Sequence, residues 1–318
     1  MTVVAATNDM IARAGALLQE GDLVAFPTET VYGLGADATN GRAVARIFEL
    51  KGRPRFNPLI VHVGSLEEAA ELADFSDRAL ALADAFWPGA LTLVLPKAPG
   101  CTVADLATAG LATIALRVPA HPVAQALLEE AGLPVAAPSA NRSGHVSPTA
   151  AAHVQADFGA SLSVILDGGP APLGIESTVI DVTADTATLL RPGAVARHEI
   201  EAVIGNQLPT GEDTARPASP GQLASHYAPR ARLRLEATEV RDGEALLAFG
   251  ADVPATEGPI INLSKTGDLR EAAAKLFSAL RDLDATGART IAVMPVPGEG
   301  LGEAINDRLR RGAAECVG

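Results

Sequence analysis

Aromatic residues are scarce, 3% of the chain, and there are only two cysteines. With few large rings available, Ala, Val and Leu must fill the core, and small side chains favour closely layered helices and sheets. Cys101 and Cys316 are far apart and have no His or Cys at ligand spacing. They offer neither a disulfide framework nor a zinc site, so a reducing, cytoplasmic setting is expected. No apolar run reaches the ~20 residues of a membrane span. The first residues lack the basic and apolar regions of a secretory leader.

Several chemical signatures are also missing. There is no G-x-x-x-x-G-K-[ST] loop, no G-x-S-x-G elbow and no H-E-x-x-H pair. Gly33-Leu-Gly35 follows an apolar run, but no third glycine completes a dinucleotide fingerprint. The six histidines show no metal spacing. Positive charge is in short supply, the net balance being −13. A broad nucleic-acid or membrane-surface binder would present the opposite field, so weak or no direct RNA binding is expected.

What is present reads as folded α/β protein: 48% apolar and 20% charged residues. Helical spacing covers Asn8 to about Gln19 with Asn8 as its cap, then 43–51, 66–73, 78–86 and 122–131. Short apolar runs at 23–26, 59–63, 90–95, 112–118, 133–137, 164–167 and 177–182 read as strands. Residues 27–35 read as a loop of turn residues and hydroxyls. Periodicity lapses over PTGEDTARPASPGQLASHYAPR, the composition of a linker. The organisation expected is a domain over 1–210, a linker over 211–230 and a smaller α/β unit over 231–318. That unit has strands near 233, 245, 260 and 291 and helices over 269–283 and 304–311.

Four segments carry chemistry. In KGRPRFNPLIVH, Lys51, Arg53 and Arg55 form a basic knot in an acidic chain, held by Pro54 and Pro58 beside Asn57. Such a knot suits a small, highly charged anion, although a solvated basic loop would read the same way. The second segment, APSANRSGHVSPT, places Ser139, Asn141, Ser143 and Ser147 beyond a strand's carboxyl end, where α/β sheets bind ligands. An ordinary serine-rich turn has the same composition. Arg117 ends an apolar strand and must find a carboxylate, internal or from a ligand; Arg191 poses the same question. The fourth, GIESTVID, puts Ser177 at a strand start.

Together these segments resemble the YrdC-type threonylcarbamoyl-AMP synthases, through FPTETVYGLG (26–35), the Lys51–Arg53 pair with NPLIVH (57–62), PSAN (138–141), ESTVID (176–181) and RPG (191–193). SPGQLASHYAP (219–229) resembles the connection in the longer, two-domain form. The resemblance implies a twisted mixed sheet flanked by helices around a large concave cavity, plus a small Rossmann-like C-terminal domain. It implies that threonine is held by Thr30, His62, Arg117, the backbone of Ala137, and Ser177, with Arg117 taking the carboxylate. Lys51 and Arg53 would be catalytic. With Asn57, Thr113, Ser139, Asn141, Ser147 and Arg191 they would hold ATP, touched also by His226 or Tyr227 from the linker. Mg2+ would accompany ATP with no protein cage. Bicarbonate would be the third substrate, and the adenylate would pass to a tRNA-threonylcarbamoylating complex. A non-catalytic RNA-binding module is disfavoured by the charge. A hydrogenase-maturation carbamoyl transferase, which resembles this domain, carries zinc-binding cysteine clusters that this chain lacks.

Overall fold

The computed structural model describes residues 3–211 and 226–314. Most of the expected linker, 212–225, and Cys316 therefore lie outside the described residues.

The first unit opens with β1 (Val3–Ala5), α1 (Asn8–Gln19), β2 (Val24–Phe26), β3 (Gly33–Asp37) and α2 (Gly41–Lys51). Next come β4 (Ile60–His62), α3 (Leu66–Leu72), α4 (Asp77–Phe86), β5 (Leu91–Pro96), β6 (Thr113–Arg117) and α5 (Pro122–Ala131). It closes with β7 (Val135–Ala136), α6 (Ala151–Phe158), β8 (Val164–Asp167), β9 (Thr178–Asp181), β10 (Thr188–Arg191) and α7 (Arg197–Ile204). The ten strands form one sheet in the order β1-β8-β2-β3-β7-β4-β6-β5-β9-β10. It is mixed: β2 pairs antiparallel with β3, and β4 pairs parallel with β6.

Alternation along the strands fixes the two layers. Val24 and Phe26 face a cluster with Leu18, Leu127 and Leu166, while Ala25 between them faces the larger cluster with Leu34, Ile47, Val61 and Leu116. Helices α1 and α5 thus cover one face, and α2, α3 and α4 the other. Gly52 (φ 63°) closes α2 in the left-handed region and turns the chain towards the basic knot.

The sequence reading needs three corrections. Thr7, not Asn8, caps α1: its hydroxyl accepts from Met10 N, and Asn8 is already helical. Residues 33–35 are strand, not loop. A Cβ on Gly35 would lie 2.9 Å from the Phe26 ring and 3.0 Å from Val135 Cγ1, so this glycine serves close packing inside a sheet rather than a turn. Finally, β1, β10, α6 and α7 had no sequence counterpart; all are short, and pairing or packing with distant segments defines them.

The second unit contains β11 (Arg232–Arg234), β12 (Ala245–Ala248), β13 (Ile260–Asn262), α8 (Leu269–Ala285), β14 (Thr290–Val293) and α9 (Leu301–Ala313). Its sheet is parallel throughout, in the order β11-β14-β12-β13. Asp268 caps α8 by accepting from Arg270 N and Glu271 N. The apolar faces of α8 and α9 complete a second core, and Val31, Val146 and Ile175 of the first unit are buried in it. Gly174 (φ 64°) permits the contact, because a Cβ there would fall 2.3 Å from Ala274 O of α8. Ion pairs between Arg281 and Asp157 and between Arg197 and Glu303 flank the joint.

Candidate active site

The strands β4 and β6 lie side by side in register, His62 opposite Arg117, and so deliver both side chains to one cavity. Thr30, Arg53, His62, Arg117, Ala137, Ser139, Ser177, Arg191, His226 and Tyr227 all line it. Lys51 and Asn141 stand directly behind. The Lys51 ammonium donates to Ser139 O (2.6 Å) and Asn141 O, and Ser139 Oγ bonds Asn141 Oδ1. Ser147 reaches the wall through Glu176. Asn57 lies behind Arg53, its carbonyl accepting from Arg53 Nε. Thr113 is not itself in the lining. It starts β6 on the same face as Ala115 and Arg117, two residues before the Ala115–Ile60 pair, and so lies beside Pro58, whose carbonyl accepts from Arg53.

The sequence left Arg117 with two possible partners. The structure supplies the internal one: Nη2 bonds Glu29 Oε1 at 2.5 Å, Nη1 bonds Thr30 Oγ1 at 2.9 Å, and Nε bonds Gly89 O at 3.0 Å. Burial pushes the Glu29 carboxyl up, but the Arg117 charge and hydrogen bond outweigh this and hold it below the usual carboxylate range. A guanidinium has five N–H groups, so two remain for a ligand carboxylate. Glu29 Oε2 is buried and has no partner among the described residues. His62 is kept neutral. Burial, then the Arg117 charge, lower its pKa to about 3.

The other end is built from cations. Arg53 donates to Asn57 O and Pro58 O (2.9 Å), and Arg191 to Ser177 O (2.8 Å) and Ser177 Oγ (3.1 Å). Lys51 and Arg53 have only backbone carbonyls as hydrogen-bond partners among the described residues. Burial, and then the neighbouring Arg53, push the Lys51 ammonium well below its ordinary range. Burial and Arg191 lower Arg53 to about 10. These are strained charges that a bound polyanion would relieve.

The residues missed by the sequence reading are Thr28, Val31, Gly33, Ile60, Pro138 and Glu176 in the lining, and Glu29 and Thr92 behind it. Glu29 and Glu176 sit inside segments already singled out, FPTETVYGLG and ESTVID. Their carboxylates were the available signal. His226 and Tyr227 form part of the cavity wall, and the space left is about 50 Å³, room for a few waters. A nucleotide needs more room than this space offers as it stands.

A mixed α/β sheet wrapped round a cation-lined cavity, with a parallel-sheet domain docked on it, defines a two-domain protein of the YrdC-like class. A family model described as telomere recombination (Sua5/YciO/YrdC) matches residues 16–193. The model for the threonylcarbamoyl-AMP synthase C-terminal domain matches residues 195–314. A threonylcarbamoyl-AMP synthase of Bacillus subtilis is 42% identical, covering 98% of this chain and 95% of that one. One from Pyrococcus abyssi is 44% identical over 94% of this chain and 92% of that one. The crystal structure of P. abyssi Sua5 complexed with L-threonine superposes with a TM-score of 0.89 at 41% identity, covering 98% of this chain and 96% of that one. The chain belongs to the threonylcarbamoyl-AMP synthase family, in its two-domain form.

Proposed function

We propose that this protein joins L-threonine, bicarbonate and ATP into threonylcarbamoyl-adenylate, releasing pyrophosphate and water. The observation that carries this reading is the single cavity with a charge-balanced end at Arg117–Glu29 and a cation-rich end at Lys51, Arg53 and Arg191. A zwitterion suits the first and a triphosphate the second. The family relatives bear the same activity in their names, and the P. abyssi structure contains L-threonine.

In the reaction, the threonine nitrogen attacks the carbon of bicarbonate, or of CO2 derived from it, and a carbamate forms. A carbamate oxygen then attacks the α-phosphorus, the bond to the β-phosphate oxygen breaks, and pyrophosphate leaves. No enzyme nucleophile is needed. Arg117, Thr30, His62, Ala137 and Ser177 orient the amino acid. Lys51, Arg53 and Arg191 spread the charge developing on the phosphoryl group, with Ser139, Asn141, Ser147 and Asn57 fixing their wall. Thr113, on the same face of β6 as Arg117 and beside Pro58, offers a hydroxyl to ATP next to Arg53. Mg2+ would enter as part of the substrate MgATP, held through phosphate oxygens. His226 and Tyr227 shut the site over the carbamate and keep water out. The adenylate then passes to the enzyme that modifies tRNA. The setting is cytoplasmic; no helix among the described residues is long and apolar enough to cross a membrane.

Pyrophosphate release from ATP tests the reading. It should require both threonine and bicarbonate, and full-rate release with either left out would sink it.

A further inference from the structure

Arg308 is the largest fully buried side chain among the described residues, and it comes from α9 of the accessory unit. Its Nε donates to Glu176 Oε2 at 2.8 Å and its Nη1 to Asp307 Oδ2 at 2.6 Å. Glu176 is the only carboxylate in the cavity lining among the described residues, and its other oxygen accepts from Ser147 Oγ at 2.6 Å. The Arg308 guanidinium also lies 5.0 Å from the centroid of the Tyr227 ring, a cation–π distance. Tyr227 stacks on Phe277 of α8 with centroids 5.6 Å apart, and His226 N donates to Arg311 O at 3.1 Å. These two lining residues are therefore held by the accessory unit.

Stability alone does not account for this arrangement. A buried ion pair is commonly no better than hydrocarbon of the same volume. Here, moreover, Arg308 Nη2 and the Tyr227 hydroxyl are buried without a partner among the described residues. Such groups cost free energy and call for another purpose.

We propose that Arg308 is a positioning residue for the nucleotide end of the cavity, holding Glu176, and through it Ser147, while fixing the Tyr227 ring, so that the active site spans both units. The accessory unit is then part of the catalytic apparatus rather than an appendage. The inference rests on the reading of the cavity as an ATP site.

The test uses the full chain and reads two quantities: ATP binding by calorimetry, and threonine-dependent pyrophosphate release. R308K keeps a charge but cannot span Glu176, Asp307 and the ring together. We expect it to weaken ATP binding roughly tenfold, the scale of one charge-assisted hydrogen bond, with the threonine KM changed less than about twofold. If R308K proves too unstable to assay, the pair R308M/E176Q removes both charges of the Glu176 pair and leaves Asp307 its bond to Arg311, so it should fold. It should show the same ATP-selective loss. Combining S147A with R308K should add little to R308K alone. Wild-type ATP affinity in both Arg308 variants, or equal losses for ATP and threonine, would overturn the proposal, as would full additivity with S147A. A wild-type chain that binds ATP but shows no threonine-dependent release would instead refute the proposed reaction, leaving the Arg308 comparison to be read from binding.

Discussion

The two ends of the cavity are both walled by buried cations, yet they treat charge differently. At the Arg117 end the guanidinium is matched by Glu29 at 2.5 Å, and the adjacent His62 is held neutral. At the Lys51 end, Lys51 and Arg53 meet only carbonyl dipoles among the described residues, and both have their charged forms disfavoured by burial. Similar side chains thus make one site that asks for no net charge and another that asks for several negative ones. Which ligand a cationic pocket takes depends on the counter-charges supplied behind it more than on the number of cations at its surface.

The largest expected break in this contrast comes from Arg53→Ala. Losing an uncompensated cation should cut kcat/KM for ATP by about 100-fold or more while leaving the threonine KM nearly unchanged. Steady-state kinetics with each substrate varied in turn would check it.

Acid should break the contrast from the other side, by charging His62. Its folded-state pKa, about 3, lies below its unfolded value, so the unfolded chain binds more protons between these limits. Stability from this group is complete above about pH 6.5 and is lost progressively as pH falls towards 3. Between pH 8 and pH 5 the loss should be on the order of 2 kcal/mol. Chemical denaturation across that range should show it, and His62→Gln should flatten the profile. His226, also pushed down by burial and by Arg53, adds to the wild-type slope and should persist in the variant.

Glu29→Gln sharpens the comparison with a smaller effect. It removes the counter-charge and makes the threonine end net positive. Relative to wild type, binding should shift by about tenfold from threonine towards 3-hydroxybutyrate, a hydroxy acid without the amine. Competition assays would measure the ratio; an unchanged ratio would mean that Glu29 does not set the charge of that end.

Much of this was visible in the sequence, for reasons that can be named. The helix α2 carries its periodicity and its Gly52 stop within one short stretch, so the placement of Lys51 and Arg53 at its end could be read locally. Pro122 with His121 marks α5 in the same way. β3 was misread because Gly33 and Gly35 look like turn residues until Phe26 and Val135 are seen against them. The unexpected α6 and α7 are eight residues each, too short for periodicity to declare them. Glu29 looked like one more polar residue in a threonine-rich segment; only the pairing of β4 with β6 and the approach of residues 28–30 reveal its partner. Arg308, in a run with Arg310 and Arg311, reads as a solvated basic face, and tertiary contacts alone show it fully enclosed.

The docking of α8 against Gly174 has a practical corollary. Val31, Val146 and Ile175 close the accessory core although they are encoded in the catalytic half. A chain truncated near residue 209 would carry these three side chains as an oily scar beside the mouth of the cavity, a surface prone to self-association. Shortening this enzyme to its first half would therefore mean repainting that scar with polar residues, not simply moving a stop codon.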